Sequence, residues 1–126
     1  MEFMQSKKMT WIGWGISILC VLPFLMGILM QFSKPEMVTQ GMAHMGIPIS
    51  LSKPLFIVEV ACLILYLIPQ TAVFGAILLA GYMGGAIMTH LRIGEPVYLQ
   101  IAIGVLFWLG IWLREPSLRA ILPLRR

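Results

Sequence analysis

Charge is what this sequence has least of. Lysine and arginine number nine and the acidic residues five, so only 11% of the 126 residues are charged, against roughly 25% in an ordinary soluble domain. Hydrophobic residues make up 60%, and the mean hydropathy is +0.93. A soluble chain of this length could not cover its surface with so few polar groups, so an integral membrane protein is expected. No basic stripe with interleaved aromatics occurs, which argues against nucleic acid as a partner. The net charge of +4 is small and collects at the two ends, where membrane lipid headgroups are the natural counterpart.

Cysteine is scarce too. Cys20 and Cys62 both lie in apolar runs and form no C-x-x-C pair. They read as small buried hydrophobes, with a redox pair between helices the lesser alternative. Long repeats and low-complexity segments are missing. So is a small-residue cleavage pattern, and the first apolar run therefore reads as a retained helix rather than a signal peptide. No nucleophile elbow, P-loop, H-E-x-x-H or dinucleotide fingerprint is present, and no catalytic residue is assigned.

What the chain does have is four apolar runs. Spans are expected near residues 10–32, 52–68, 71–90 and 97–113, with an outer connector over 33–51 and a basic tail over 114–126. The expected fold is all-α. It is one integral membrane domain, residues 1–126, built as an antiparallel four-helix bundle with a short extra helix between helices 1 and 2. Pro23 falls inside the first span and is expected to kink it. Ser33-x-x-Glu36 reads as a capping box, Pro35 suits a first turn, and Gly46-Ile47-Pro48 reads as a stop. Ser52 is placed to cap the second span, with Pro54 in its first turn. The short break at Pro69-Gln70 makes helices 2 and 3 antiparallel neighbours. In the tail, Leu118, Ile121 and Leu122 fall at helical spacing, so a short interfacial helix and a frayed basic end are both open.

Four spans put both termini on one side. Lys7, Lys8, Arg114, Arg119, Arg125 and Arg126 lie there, and Lys34, Lys53 and Arg92 lie opposite. The positive-inside rule then places both termini in the cytoplasm. Trp11, Trp14, Trp108 and Trp112 agree, forming one aromatic belt at that interface.

Small residues recur in the third span. Gly81 and Gly85 are four apart, with Gly84 beside them. That spacing suits close helix packing, inside the bundle or against a second copy, and the interior is preferred. Polar residues sort by depth. Glu59 lies about seven residues, roughly 10 Å, below the outer end of helix 2. Gln31, His90, Arg92, Tyr98 and Gln100 come to the same outer half, while the inner half holds little beyond Ser17, Tyr66 and Thr71. A carboxylate in a span needs a partner. Glu59 is expected to meet Arg92 or His90, directly or through one water or ligand, either as a helix-locking pair or as the centre of a ligand site. Met42, His44 and Met45 are weak candidates for a soft metal such as Cu(I); apolar filling is the preferred reading of the methionines, and no metal is expected.

These residues resemble the DoxX-like family. The likeness rests on Gly46-Ile47-Pro48, Glu59, Pro69, Gly75-Ala76-Ile77-Leu78-Leu79, Gly81-Tyr82-Met83-Gly84-Gly85-Ala86, His90 and Arg92. It covers about four-fifths of the chain, from helix 1 through helix 4. The resemblance implies a small four-helix protein of the bacterial inner membrane, and it draws Tyr82 into the polar cluster. It also suggests a redox connection, since the family is named after the small subunit of a thiosulfate:quinone oxidoreductase; being a subunit of a membrane oxidoreductase rests on the resemblance alone. No flavin, haem or iron–sulfur site is supplied. Two functions stay open at this point. One is a pocket centred on Glu59 that binds a quinone, a lipid or a small sulfur compound. The other is a non-catalytic scaffold, a partner subunit or homo-oligomer, whose polar cluster only locks helices 2 and 3 together.

Overall fold

The first helix starts earlier than its apolar run, because no glycine or proline interrupts the residues before Trp11. In the computed structural model, which describes residues 2–125 and the side chains of residues 7–125, α1 runs Glu2–Ser33 and takes in Pro23. There follow α2 (Pro35–Met45), a 3₁₀ turn (Ile49–Leu51), α3 (Ser52–Leu67), α4 (Ala72–Arg92), α5 (Tyr98–Arg114) and the single turn α6 (Pro116–Arg119). Arg126, counted in the basic tail, lies outside the described residues. No strand occurs among the described residues. The fold is an all-α bundle of four long helices with a short helix between the first two.

α1 packs on α5, α5 on α4, and α4 on α3, while α3 touches α1 only lightly. Large apolar side chains face outward along every long helix, among them Leu22, Met26, Ile57, Ile64, Phe74, Ile77, Leu99 and Val105. A monomer soluble in water does not expose so much apolar surface. Among the described residues, three segments are long and apolar enough to cross a membrane: Lys7–Ser33, Ile49–Leu67 and Ala72–Arg92; α5, at 17 residues, is shorter.

The close helix contacts are made by glycines, but not by the expected ones. A Cβ on Gly75 would lie 2.3 Å from the Tyr66 backbone nitrogen, so α4 meets α3 backbone to backbone there. A Cβ on Gly13 would lie 2.7 Å from the Gly110 carbonyl oxygen, which sets the α1–α5 crossing. Gly81, Gly84 and Gly85 have nothing within 4 Å of such an atom. The i,i+4 spacing of small residues is real, yet the crossing point lies one and a half turns nearer the α3–α4 turn. There Thr71 Oγ1 donates to the Leu65 carbonyl at 2.8 Å and holds the two helices together.

Two expected caps are absent as well. Ser33 still belongs to α1, and its hydroxyl donates back to the Leu29 carbonyl at 2.8 Å, so Lys34 opens α2 without a side-chain cap. Ser52 already sits inside α3, and its oxygen accepts from Gln31 Nε2 at 2.9 Å, tying α1 to α3. The stop at Gly46 does form, with φ 72° and bonds back to Ala43 and Met42.

The bundle is solid at the end opposite α2. Tyr66, Leu79, Phe107 and Ile111 are fully buried in its core, with Ser17 beside them. Tyr66 stacks edge-on against Phe107 at 5.0 Å, and Phe24 follows at 5.6 Å from Phe107 and 6.2 Å from Tyr82. This aromatic column climbs from the packed end into the end that carries α2, which is hollow.

Candidate functional site

Three helices deliver polar groups to that hollow. α3 brings Glu59, α4 brings Tyr82 and α5 brings Gln100. Tyr82 and Glu59 border the same two pockets, and the two groups lie close enough to interact. Around this pair lie three adjoining cavities. One of about 190 Å³ is bordered by Pro23, Phe24, Glu59, Tyr82, Leu99 and Gln100, among others. A second, of about 260 Å³, reaches from Glu59 and Tyr82 to Gln31, Ser52, Val38 and Met42 under α2. A third, of about 400 Å³, runs along α4 past Gly81, Tyr82, Gly85 and Thr89 to His90 and Met45. Tyr82 borders all three. Gln100 Oε1 is buried and finds no hydrogen-bond partner among the described residues. A buried amide oxygen left unpaired is costly, so an unpaired one beside a cavity marks a place for a donor.

Among the described residues Glu59 makes no direct pair with Arg92 or His90. Both cations are engaged above the hollow. The Arg92 guanidinium donates to the Met45 carbonyl at the end of α2 and lies against Gly46. His90 Nδ1 meets Glu95 Oε2 at 3.2 Å, and His44 Nε2 meets the other Glu95 oxygen at 2.6 Å. The two imidazoles hold the Glu95 carboxyl below the usual carboxylate range, the hydrogen bond from His44 contributing most. Sequence reasoning overlooked Glu95. Its signal was modest but present: an acid five residues beyond His90, across a glycine turn.

Of the other expected site residues, Gln31 reaches the 260 Å³ cavity and His90 the 400 Å³ one. Tyr98 does not join the cluster; it is 84% exposed at the start of α5 and borders none of the three cavities. The candidate metal residues do not converge. Met42 and Met45 border different cavities, and His44 turns to Glu95. No group of three or more His, Cys, Asp or Glu suited to a metal occurs among the described residues.

The packed end holds a polar network that sequence reasoning also missed. Arg114, expected at the start of the basic tail, is 7% exposed. Its guanidinium donates to Ser17 Oγ at 3.2 Å and to the Tyr66 carbonyl at 3.0 Å, and lies 3.8 Å over the Trp14 ring. The Tyr66 hydroxyl donates to the Phe107 carbonyl at 2.7 Å and sits 3.1 Å from Ser17 Oγ. No cavity adjoins this cluster among those bordering Glu59 or Tyr82, and its groups are satisfied. It joins α1, α3 and α5 and makes the rigid base on which the hollow stands.

A model of the DoxX-like family matches residues 15–113 of the chain. No curated protein and no solved structure matches it.

Proposed function

That match spans most of a small membrane protein, so the chain belongs to the DoxX-like family, and we propose that it binds a small amphiphile in the hollow around Glu59, Tyr82 and Gln100. The observation that carries this is the unpartnered Gln100 Oε1 in a cavity shared with Glu59. The unpartnered Gln100 Oε1 is an acceptor. The ligand head therefore presents hydrogen-bond donors. Among a quinone, a lipid and a small sulfur compound, the reduced quinone fits best. Its hydroxyls donate to Gln100 and Glu59, its ring lies against Phe24 and Tyr82, and its tail leaves toward lipid past Leu99. In this reading all four long helices span a bacterial inner membrane, both termini are cytoplasmic, and the hollow faces outward. The distribution of lysine and arginine supports that orientation.

A scaffold role has one observation in its favour: Glu59 of α3 and Tyr82 of α4 lie side by side where the two helices face the same pockets. The voids beside them and the unpaired amide favour binding. The two readings separate in a titration of the protein in nanodiscs with decylubiquinol. Saturable binding is expected, weakened about tenfold by Gln100→Leu, the loss of one hydrogen bond, and unchanged by Tyr98→Ala. Uptake equal to that of empty nanodiscs, or full affinity in Gln100→Leu, would leave the scaffold.

A further inference from the structure

The segment that covers the hollow is held down by charge. α2 buries no residue. Its half-buried side chains Val38, Met42 and Met45 are the ones that border the cavities beneath it. A helix with so few buried contacts opens locally at low cost. It hangs between Lys34 and the left-handed Gly46, and its last turn is fastened to the far end of α4. One fastening is the Arg92 guanidinium on the Met45 carbonyl. The other is His44 on Glu95, whose second oxygen takes His90. These are the two ion-pairing contacts among the described residues, and both use the same carboxylate. His90 itself lines the 400 Å³ cavity, so the cluster sits at the rim of the hollow it would close.

We propose that α2 is a lid over the Glu59–Tyr82 hollow and that His44, Glu95 and His90 form its proton-operated latch. This adds regulation to the binding reading and rests on it for what the lid admits. The charged groups that face Glu95 are His44 from α2 and His90 from α4; Arg92, also on α4, is engaged with a backbone carbonyl. Histidine side chains gain charge as pH falls from about 8 to 5, and a hydrogen bond between ionised partners is roughly twice as strong as a neutral one. The latch therefore tightens on mild acidification. On further acidification the carboxylate is protonated. Because both imidazoles favour its charged form, the contribution of Glu95 to closure is present in full above the ordinary carboxyl range and is lost as pH falls through the lower, closed-state value. His44 is 69% exposed. Exposure keeps the latch weak, and a weak latch suits a lid that a small bias must move.

The test reads the lid without any ligand. Spin labels on Gln40→Cys in α2 and Leu99→Cys in α5 report the lid-to-bundle distance by pulsed EPR in nanodiscs; Cys20 and Cys62 are buried and stay unlabelled. A single narrow distance is expected at pH 6, and a longer second population, increased several-fold, at pH 9. His44→Ala, which removes an exposed side chain and leaves the bundle untouched, and Glu95→Gln are both expected to show the open population at pH 6 as well. One unchanged distance at both pH values in the wild type overturns the latch, as does a pH response that survives in His44→Ala. A working lid with no quinol binding would remove the binding reading and leave the latch standing.

Discussion

Gly75 has no room for a methyl group. Its absent Cβ would fall 2.3 Å from a backbone nitrogen of α3, which cannot swing aside. Gly75→Ala is therefore expected to destabilise the protein by about 1–3 kcal/mol, the usual cost of overpacking. Gly84→Ala meets open space and should gain up to about 1 kcal/mol from helix propensity. Thermal melting in detergent separates the two, and equal melting temperatures would contradict the packing described. The glycine pattern in the sequence could not make this distinction. Spacing reports which residues share a helix face, while the depth at which two helices cross depends on turn length and on side chains of the partner. Arg114 carries a similar lesson. It sits at the end of its apolar run, where a cation usually reaches water, and only the Ser17 and Tyr66 oxygens brought by other helices make a buried place for it. Tyr66→Phe removes the hydroxyl that meets Ser17 Oγ and the Phe107 carbonyl and should cost about 1–3 kcal/mol.

Helix identity was legible because apolar runs and breakers agree. Gly46 ends α2, Pro69 and Gln70 part α3 from α4, and Gly94, with φ 77°, turns the chain before α5. Caps were less legible, since a serine three residues before a glutamate cannot tell whether the preceding helix has already claimed it. Ser33→Ala should thus change stability by less than about 0.5 kcal/mol, where loss of a working N-cap costs about 1. The end of α5 shows the reverse case. Arg119, read as tail charge, donates to the Leu113 carbonyl at 2.8 Å and the Trp112 carbonyl at 3.3 Å. It closes two carbonyls that the helix leaves open. Hydrogen exchange over residues 115–122 should accelerate in Arg119→Ala while α1 and α4 keep their protection. Unchanged exchange there would mean that the arginine does not hold the turn.

The whole molecule divides into a packed base and a hollow upper half. The sequence showed the polar half, because Gln31, Glu59, Tyr82, His90 and Gln100 come to one side of four antiparallel helices. It did not show which of them would meet. Arg92, expected beside Glu59, goes instead to the C-terminal carbonyl of α2, and His44 of α2 takes Glu95. Reporter fusions after Arg125 and within α2 at Gln40 should place these two points on opposite sides of the membrane; the same side for both would break the four-span topology. The claim that most depends on the structure is that the hollow holds a molecule. Native mass spectrometry of the protein, extracted from its own membrane in mild detergent, tests it directly. A bound species of defined mass is expected on the wild type and on Tyr98→Ala, and its loss on Gln100→Leu. The bare chain mass alone on the wild type, or an adduct that Gln100→Leu retains in full, would contradict it.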